Sequence, residues 1–390
     1  MNKFKTTQTA FELEGLFYKN DSPVKVHIKD EIITKIQFLK KKPANDNLYI
    51  APGLLDLQVN GYKGTDFGNH NLSINEIERS VKNLWKTGVT TFLPTVITNK
   101  KEYIVKSLSV LAESLNNPFV KKSIPGFHLE GPFISPQKGY RGAHLKKYIK
   151  LPSWKEFLEY QNAAKGNINL ITLSPELKGV VPFIRKVVNT GVKVSIAHHN
   201  ATSKQIHNAV KAGAKLSTHL GNGCANVIHR HNNPYWPQLA NDELSISVIA
   251  DNYHLTDDEI KTFYKVKGND KSILISDMLD LAGMEPGIYL RGERKIKLER
   301  GGIRFPEENV LAGAVATLSE GVANIMNITN CSLNEAINMA SKNPANLLEL
   351  YSVGEIEVGK RADLIMFKIE KSKIKIHKTY LAGQLVFLKK

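Results

Sequence analysis

The sequence predicts an α/β protein: a (β/α)8 TIM-type barrel with a small β-sandwich domain formed by the N- and C-terminal segments. Two observations predict the barrel. Short apolar runs recur along the chain, and helical patterns lie between them. Strands that alternate with helices in this way form parallel sheets, and a series of eight is typical of a closed barrel. A third observation predicts the β-domain: both ends of the chain contain short stretches in which apolar and polar residues alternate.

The predicted barrel strands are short and apolar, and several end on a charged residue or a histidine. They are Gly53–Val59, Val89–Thr95, Ile124–Glu130, Ile168–Ser174, Val192–His198, Ala214–His219, Ser245–Asp251 and Ser272–Asp277. Helical patterns between them include Asn75–Thr87, Lys101–Leu115, Trp154–Ala164, Val181–Thr190 and Ser203–Ala212. This order predicts parallel strands whose carboxyl ends meet at one face of the barrel.

Both ends of the chain are predicted to contribute to the small β-domain. Residues 1–50 contain alternating stretches such as Pro23–Ile28 and Ile32–Phe38 without a long helix, and residues 354–390 resume that pattern. We therefore predict one domain from residues 1–50 and 354–390 and a barrel domain from residues 51–353. The segment Tyr289–Phe305 has the pattern of a hairpin inserted after the eighth strand.

The composition is that of a globular protein, with 42% hydrophobic and 23% charged residues, which excludes a disordered or fibrous chain. The 53 Lys+Arg and 37 Asp+Glu residues give a formal net charge of +16. Because the lysines are scattered along the chain, we expect a lysine-rich surface and no nucleic-acid partner. No stretch approaches the ~18 apolar residues of a membrane span. With a polar start and two cysteines, we expect a cytoplasmic protein without a membrane partner.

Five titratable side chains stand at or just after the ends of five different predicted strands: Glu130, His198, His219, His254 and Asp277. Functional groups gather at the carboxyl-terminal strand ends of such barrels, so these side chains can converge on one pocket. Each residue alone is also compatible with a structural hydrogen bond, a helix cap or a salt bridge. Their shared position at one end of the barrel favours a common site.

Such a set is suited to metal-assisted hydrolysis. Two imidazoles and one carboxylate bind a divalent ion and leave a position open for water. Asp277 could accept the proton of that water and later deliver it to the leaving group. His254 could donate a hydrogen bond to a carbonyl oxygen on which negative charge develops. The residues therefore predict hydrolysis of an amide-like or ester-like carbonyl.

A series of short motifs recurs in a fixed order from about residue 50 to the end of the chain. They are Ala51 to Gly61, His128 to Phe133, His198 to Thr202, Thr218 to Leu220, Ile249 to Asp251 before His254, Ser276-Asp277, Leu311 to Gly313, Asn343 to Ala345 and Gly359 to Leu364. In this order they resemble the N-acetylglucosamine-6-phosphate deacetylase family of the amidohydrolase superfamily. The resemblance is specific because several motifs match together.

The resemblance implies one divalent metal ion per subunit, held by Glu130, His198 and His219. Zinc is the expected ion, with iron, manganese and cobalt as alternatives, because all of them accept two histidines and one carboxylate. The resemblance also implies that Asp277 is the general base and then the general acid, and that His254 contacts the acetyl carbonyl of the substrate.

A second metal ion is not expected. Many members of the superfamily carry a His-x-His pair in the first strand, where this chain has Gln58 and Asn60. Neutral amides are poor zinc ligands, so we predict a mononuclear site.

The resemblance further implies the substrate. The expected reaction is hydrolysis of the N-acetyl group of N-acetylglucosamine 6-phosphate to glucosamine 6-phosphate and acetate, in amino sugar catabolism. The residues that match the substrate contacts of the family are Ala143, His144, Asn222, Gly223, Arg230, His254 and Leu311. Arginine suits a phosphate because its guanidinium can bind two oxygens at once. The resemblance also implies a homodimer.

The chain departs from the family in the region of residues 222–238. The family usually reads Asn-Ala-Met where this chain reads Asn222-Gly223-Cys224, and Asn-Gly is also an ordinary turn dipeptide. Tyr235, Trp236 and Tyr253 could form a wall on which a sugar stacks, or could pack inside the protein. These departures leave open another N-acyl hexosamine, a cyclic amide or a substrate without phosphate. A catalytically inactive basic binding protein is the remaining alternative.

Overall fold

The computed structural model describes residues 10–41, 48–291, 294–299, 301–308 and 310–390. Parts of two sequence predictions lie outside these ranges, namely residues 1–9 and 42–47 of the terminal domain and residues 292, 293 and 300 of the inserted hairpin. Within the described ranges, no helix combines the length and the apolar character that a membrane crossing requires.

The N-terminal segment forms four strands: β1 (Phe11–Phe17), β2 (Pro23–Lys29), β3 (Ile32–Phe38) and β4 (Tyr49–Pro52). The first three are antiparallel neighbours, whereas β4 runs parallel to β1. In β2, Val24, Val26 and Ile28 are buried and the residues between them are partly exposed, as expected for a strand with one face on a core. The predicted domain boundary between residues 50 and 51 falls inside β4, and this boundary stays a prediction.

The middle of the chain alternates strands with helices. The strands are β5 (Leu54–Val59), β6 (Gly61–Tyr62), β7 (Thr65–Asp66), β8 (Val89–Ile97), β9 (Phe127–Glu130), β10 (Ile168–Leu173), β11 (Lys193–Ile196), β12 (Ala214–Ser217), β13 (Ser245–Ile249) and β14 (Ser272–Ile275). The helices are α1 (Ile74–Trp85), α2 (Lys101–Ser114), α3 (Pro118–Ser123), α4 (Trp154–Ala163), α5 (Val180–Val188), α6 (Ser203–Lys211), α7 (Tyr235–Leu239) and α8 (Asp257–Lys267). A short 3₁₀ helix spans Lys146–Tyr148.

Strands β5 and β8 to β14 pair in chain order in one eight-stranded parallel sheet. The sheet closes because Val59 forms a parallel bridge with Met278, and the backbone N–H of Asp277 donates to the carbonyl oxygen of Gln58 over 3.0 Å. The predicted (β/α)8 barrel is therefore confirmed. Strands such as β5 and β9 are buried along their whole length, because helices cover the outer face of a parallel barrel.

Several helices begin at residues whose side chains cap them. Ser73, Thr202 and Thr256 each accept a hydrogen bond from the backbone N–H three residues later, and a Glu or Gln at that position reaches back to the capping residue. These capping boxes satisfy backbone donors that a helix otherwise leaves unpaired. The start of each helix also fixes the end of the loop before it. This matters here because the candidate site lies on those loops.

A four-stranded antiparallel sheet, here called the inserted sheet, follows β14. Its strands are β15 (Gly287–Arg291), β16 (Arg294–Glu299), β17 (Gly302–Phe305) and β18 (Val310–Leu311). It is larger than the predicted hairpin because Val310–Leu311 returns to pair with β17. Ile296, Leu298, Ile303 and Phe305 pack in one apolar cluster with residues just after β14, such as Leu279. The inserted sheet is thereby fixed beside the last strand end of the barrel.

The chain ends with α9 (Leu318–Thr329), α10 (Leu333–Met339), α11 (Lys342–Leu347), β19 (Leu364–Glu370), β20 (Lys373–Leu381) and β21 (Gln384–Leu388). The last three strands join β1 to β4 in a seven-stranded sheet of order β21-β20-β19-β4-β1-β2-β3. This sheet curls onto itself, since the rings of Phe11 and Tyr380 stack at 5.7 Å and Ile32 forms a bridge with Arg361. The small β-sandwich domain predicted from both chain ends is confirmed in this curled form.

Candidate metal centre and active site

All five predicted titratable groups lie at the carboxyl end of the barrel. Glu130 is the last residue of β9, whereas His198, His219 and Asp277 each follow their strand by two residues. His254 lies further along, in the loop between β13 and α8. Each of these side chains is nearly inaccessible to solvent. The barrel topology therefore gathers in one buried region residues that are far apart in the sequence.

Three histidines surround the carboxylate of Glu130. The Nε2 atoms of His219 and His198 lie 2.9 Å and 3.5 Å from its Oε1 atom. His144, which was predicted only as a substrate contact, places its Nε2 atom 3.3 Å from Nε2 of His198. The ligand atoms of Glu130, His144 and His198 all lie within 4.8 Å of one another. The cluster thus contains the predicted ligand set and one further imidazole.

The backbone at this cluster is unusual for residues that are not glycine. His198, His219 and Asp277 have φ angles of 52°, 37° and 50°, in the left-handed region that side chains with a Cβ atom rarely adopt. Such conformations persist only where the surrounding structure imposes them, and they are concentrated at functional sites. At each of these three strand ends, the chain turns sharply directly after the barrel.

The pKa values of the clustered groups are shifted in different directions. Burial raises the pKa of Glu130, but the neighbouring imidazoles of His198 and His219 outweigh it and hold this pKa well below its usual value. Burial lowers the pKa of His219, but the Glu130 carboxylate outweighs this effect and raises the pKa above normal. Burial, followed by repulsion from His198, lowers the pKa of His144 to about 3. Glu130 is therefore an anion, and His144 is a neutral imidazole with a lone pair.

The donor atoms of the cluster fit one divalent metal ion. Imidazole nitrogen and carboxylate oxygen are the ligands that zinc and its neighbours in the first transition row accept. The Nδ1 atoms of His144 and His219 are buried without a hydrogen-bond partner in the part of the chain that the structure describes. These two rings are therefore not committed to other protein groups through that nitrogen.

Two amide side chains, Gln58 and Asn60, lie beside Asp277. The side-chain N–H groups of Gln58 donate to Oε1 of Glu130 over 3.1 Å and to Oδ1 of Asp277 over 3.0 Å. Asn60 donates to the same Asp277 oxygen over 2.6 Å. Burial, followed by repulsion from Glu130, raises the pKa of Asp277 to about 6. The amides therefore orient, through Oδ1, a carboxylate that titrates near neutral pH.

His254 is held by a carboxylate. Oδ2 of Asp251 lies 2.7 Å from Nδ1 of His254, and Oδ1 of Asp251 accepts the backbone N–H of the same residue. Burial raises the pKa of Asp251, but its hydrogen bond with His254 outweighs this and lowers it. The pair fixes the orientation of the ring and leaves its Nε2 atom as the group that can contact a ligand.

The predicted substrate contacts divide into two groups. Asn222 and Gly223 line a cavity beside His198. Ala143, His144 and Leu311 form a second group, where the inserted sheet meets the segment after β9. Arg230 is outside that cavity lining, on an exposed loop where its carbonyl oxygen accepts a hydrogen bond from the Trp236 indole. The structure thus brings the first two groups to the cluster but not Arg230.

The three aromatic residues near this loop do not share one environment. Tyr235 lines the cavity and donates its hydroxyl hydrogen to the carbonyl oxygen of Gly221. Trp236 and Tyr253 are 56% and 50% exposed. The ring of Tyr253 packs on the inserted sheet, since a Cβ atom built at Gly301 would meet it at 2.0 Å. Tyr253 therefore has a packing role.

Position 223 has a steric reason to be glycine. Its φ angle is +62°, and a Cβ atom there would lie 2.5 Å from Nδ1 of His198. We predict that Gly223→Ala displaces this ring and lowers both the bound metal per chain and the activity at least about tenfold. Gly166→Ala is the matched control, because Gly166 has a φ angle of +79° with open space around it. Equal metal content in both variants would contradict this prediction.

Two features of the site could not be found from the sequence pattern. His144 does not stand at the end of a strand, and its approach to His198 depends on the irregular segment between β9 and α4. The link that Gln58 makes between Glu130 and Asp277 joins residues 72 and 219 positions apart. The sequence indicates this link only through the amide side chains at positions 58 and 60.

The fold and the buried cluster define a class of protein that comparison with known families identifies. The model of the amidohydrolase family matches residues 49–386. The chain therefore belongs to the amidohydrolase family. A curated relative, the N-acetylglucosamine-6-phosphate deacetylase of Bacillus subtilis (strain 168), is 31% identical over 91% of this chain and 89% of its own length. Within the amidohydrolases, the chain thus belongs to the N-acetylglucosamine-6-phosphate deacetylase family.

Two further comparisons are relevant to the fold and the substrate. The N-acetylglucosamine-6-phosphate deacetylase from Thermotoga maritima, known from a crystal structure, is 28% identical in sequence to this chain. The two structures match with a TM-score of 0.86 over 97% of this chain and 100% of that one. The N-acetylgalactosamine-6-phosphate deacetylase of Shewanella sp. (strain ANA-3) is 28% identical over 87% of this chain and 83% of its own length. Relatives of similar identity therefore carry names that differ in the hexosamine.

Proposed function

We propose that the protein hydrolyses the N-acetyl group of N-acetylglucosamine 6-phosphate to glucosamine 6-phosphate and acetate. The observation that carries this proposal is the buried cluster of Glu130, His198 and His219 beside Asp277, at the carboxyl end of an amidohydrolase barrel. The Bacillus subtilis relative supports the substrate assignment through its name and its match along the chain.

We propose that Glu130, His198 and His219 hold one divalent ion, with zinc as the natural ion. A bound ion of this kind polarises a carbonyl group and lowers the pKa of water. The amides of Gln58 and Asn60 support a mononuclear site, because they donate hydrogen bonds to carboxylates and are poor metal ligands. The chain's own residues then supply the proton transfers.

Asp277 is proposed as the general base and then the general acid. Because Gln58 and Asn60 occupy Oδ1, the other oxygen is available to accept a proton from the attacking water. Water adds to the acetyl carbon, the carbon–nitrogen bond breaks, and the proton moves from Asp277 to the leaving nitrogen. His254, oriented by Asp251, contacts the carbonyl oxygen of the substrate through Nε2 and stabilises the negative charge that develops there. These steps release acetate and a free amine.

The sugar phosphate is proposed to lie between the two groups of predicted contacts, which are Ala143, His144 and Leu311 on one side and Asn222 and Gly223 on the other. Arg230 is proposed to bind the phosphate, because a guanidinium binds two phosphate oxygens at once. Arg230 is exposed on the loop that follows Asn222 and Gly223, so its side chain can close on a bound ligand.

We further propose a cytoplasmic homodimer. Two cysteines without a disulfide, Cys224 and Cys331, support a reducing compartment. The homodimer is supported only by the family resemblance, and light scattering on the purified protein tests it. The division into domains at residues 1–50 with 354–390 and at 51–353 is proposed from the alternating pattern at both ends of the chain.

N-acetylgalactosamine 6-phosphate is a second candidate substrate. The Shewanella relative bears that name, and the sequence Gly223-Cys224 departs from the family next to the metal cluster. The test is acetate release from both phosphorylated sugars and from N-acetylglucosamine without phosphate. The proposal expects the highest kcat/KM with N-acetylglucosamine 6-phosphate. Hydrolysis of neither phosphorylated sugar would overturn it.

The pH dependence of the reaction tests the role of Asp277. Only the carboxylate can accept a proton, and burial raises the pKa of this group to about 6. We therefore expect kcat/KM to fall about tenfold per pH unit below pH 6. Asn60→Ala removes a hydrogen bond to the charged form, which raises the pKa further, so its acid limb should move to higher pH. An acid limb at the same pH in both proteins would contradict this assignment.

A further inference from the structure

His144 is the feature of the site that the mechanism above leaves least explained. It lies on the irregular segment between β9 and α4, yet its side chain is buried against the metal cluster. Its ring is nearly perpendicular to that of His198, with an interplanar angle of 75° and 4.5 Å between ring centroids. A residue that serves only to contact a sugar has no need to approach a metal ligand so closely.

The distance between these two histidines fits ligands of one ion. Zn–N bonds of ~2.0–2.1 Å separate two ligand atoms of a tetrahedron by about 3.3 Å. The Nε2 atoms of His144 and His198 lie 3.3 Å apart. Glu130 is within reach of the same point, since its ligand atom lies within 4.8 Å of both nitrogens. The two histidine nitrogens are thus spaced as ligands of one ion, and the carboxylate of Glu130 lies next to both of them.

Hydrogen bonding at His198 indicates which nitrogens are available. Nδ1 of His198 lies 3.0 Å from the carbonyl oxygen of Tyr140, which can only accept, so this nitrogen carries the hydrogen and Nε2 has the lone pair. Once that lone pair binds a metal ion, it can no longer accept a hydrogen bond from His144. Nδ1 of His144 is buried without a partner among the described residues. Coordination through Nε2 gives the His144 ring a partner in the metal-bound protein.

The inserted sheet fixes the backbone that carries His144. The guanidinium of Arg294, on β16, donates to the carbonyl oxygen of Ala143 over 3.0 Å. Arg294 is itself held by an ion pair with Glu308 at 3.1 Å and by the ring of Phe305, whose centroid lies 3.7 Å from the guanidinium carbon. The peptide next to His144 is therefore clamped by a segment more than 100 residues away in the sequence.

We propose that His144 is a fourth protein ligand of the metal ion in the substrate-free protein, and that Arg294 of the inserted sheet is the positioning residue that holds it there. This inference rests on the metal site of the proposed function. A site with four protein ligands has no place for water, so hydrolysis requires His144 to leave the ion as the substrate enters. The same imidazole is then free to contact the sugar.

Metal affinity tests this proposal without reference to turnover. The metal-free protein is titrated with Zn²⁺ in competition with a chromophoric chelator, and the cobalt-loaded protein is examined by visible absorption. His144→Ala should weaken zinc binding at least about tenfold and change the cobalt bands. His207→Ala, an exposed histidine on α6, is the control and should match the parent. Unchanged zinc affinity and an unchanged cobalt spectrum in His144→Ala would overturn the proposal.

Two further variants distinguish the loss of a metal ligand from a general disturbance of the fold. If His144→Ala does not fold, His144→Asn carries the same expectation, because an amide is a poor zinc ligand. Arg294→Gln should weaken zinc binding several-fold, whereas Arg304→Gln should not, because Arg304 lies on the neighbouring strand β17 with an exposed side chain. Equal zinc affinities of these two arginine variants would overturn the positioning role of Arg294.

Failure of this inference can be told apart from failure of the proposed function. The parent protein is assayed for acetate release from N-acetylglucosamine 6-phosphate on the same preparation. If His144→Ala binds zinc weakly and the parent protein does not hydrolyse this sugar, the proposed substrate is refuted and the role of His144 as a metal ligand is supported. If His144→Ala binds zinc normally and the parent protein does hydrolyse this sugar, only the role of His144 as a metal ligand is refuted.

Discussion

Replacing Asp277 with Asn should reduce acetate release from N-acetylglucosamine 6-phosphate by about 10³-fold, because general acid and base catalysis contributes about 10²- to 10⁴-fold in enzymes. The substitution keeps the shape of the side chain, and its amide oxygen can still accept the hydrogen bonds from Gln58 and Asn60. What it loses is an atom that can take up a proton and release it again. The metal content should therefore equal that of the parent.

The control for this prediction is Asp270→Asn, which changes an exposed carboxylate next to β14. It should leave both activity and metal content unchanged. If Asp277→Asn hydrolysed the sugar at the parent rate, Asp277 could be neither the base nor the acid. If it lost the metal, the residue would be a ligand and not a proton carrier.

Replacing Glu130 with Gln should have the second large effect, at the metal itself. The carboxylate accepts hydrogen bonds from His219 and Gln58 and lies 3.5 Å from His198. An amide in its place is a poor ligand and removes the negative charge that lies closest to these imidazoles. Zinc affinity should fall at least about 100-fold, and acetate release should fall with it unless a large excess of metal is supplied.

Glu176→Gln is the matched control, because Glu176 is a partly buried carboxylate just after β10, at the same end of the barrel. Its Oε1 atom accepts the backbone N–H of Asn200 and takes no part in the cluster. Its zinc content should match that of the parent. Equal zinc affinities for Glu130→Gln and Glu176→Gln would remove Glu130 from the ligand set.

Much of the site could be predicted because a barrel converts sequence order into spatial position. Once Glu130, His198, His219 and Asp277 are placed at strand ends, the parallel topology requires them to meet at one face. The same reasoning identified the small domain at the two ends of the chain, where the alternation of buried and exposed residues in β2 is already visible in the sequence. These features depend on local patterns and on a general rule of topology.

The rest depends on contacts between distant loops, for which a single sequence carries no local pattern. His144 reaches the cluster from an irregular segment, and the neighbouring carbonyl oxygen of Ala143 is bound by Arg294 of the distant inserted sheet. The inserted sheet is larger than predicted because two residues after a turn, Val310–Leu311, return to β17. Likewise, the reason for a glycine at position 223 is visible only once the ring of His198 is beside it.

The most direct test of this account is a zinc titration of the metal-free protein with acetate release from N-acetylglucosamine 6-phosphate as the readout. We predict negligible release without metal, a linear rise with added zinc and a plateau at one ion per chain, with glucosamine 6-phosphate formed in equal amount to acetate. A full rate in the absence of metal, or no acetate at any zinc concentration, would contradict it.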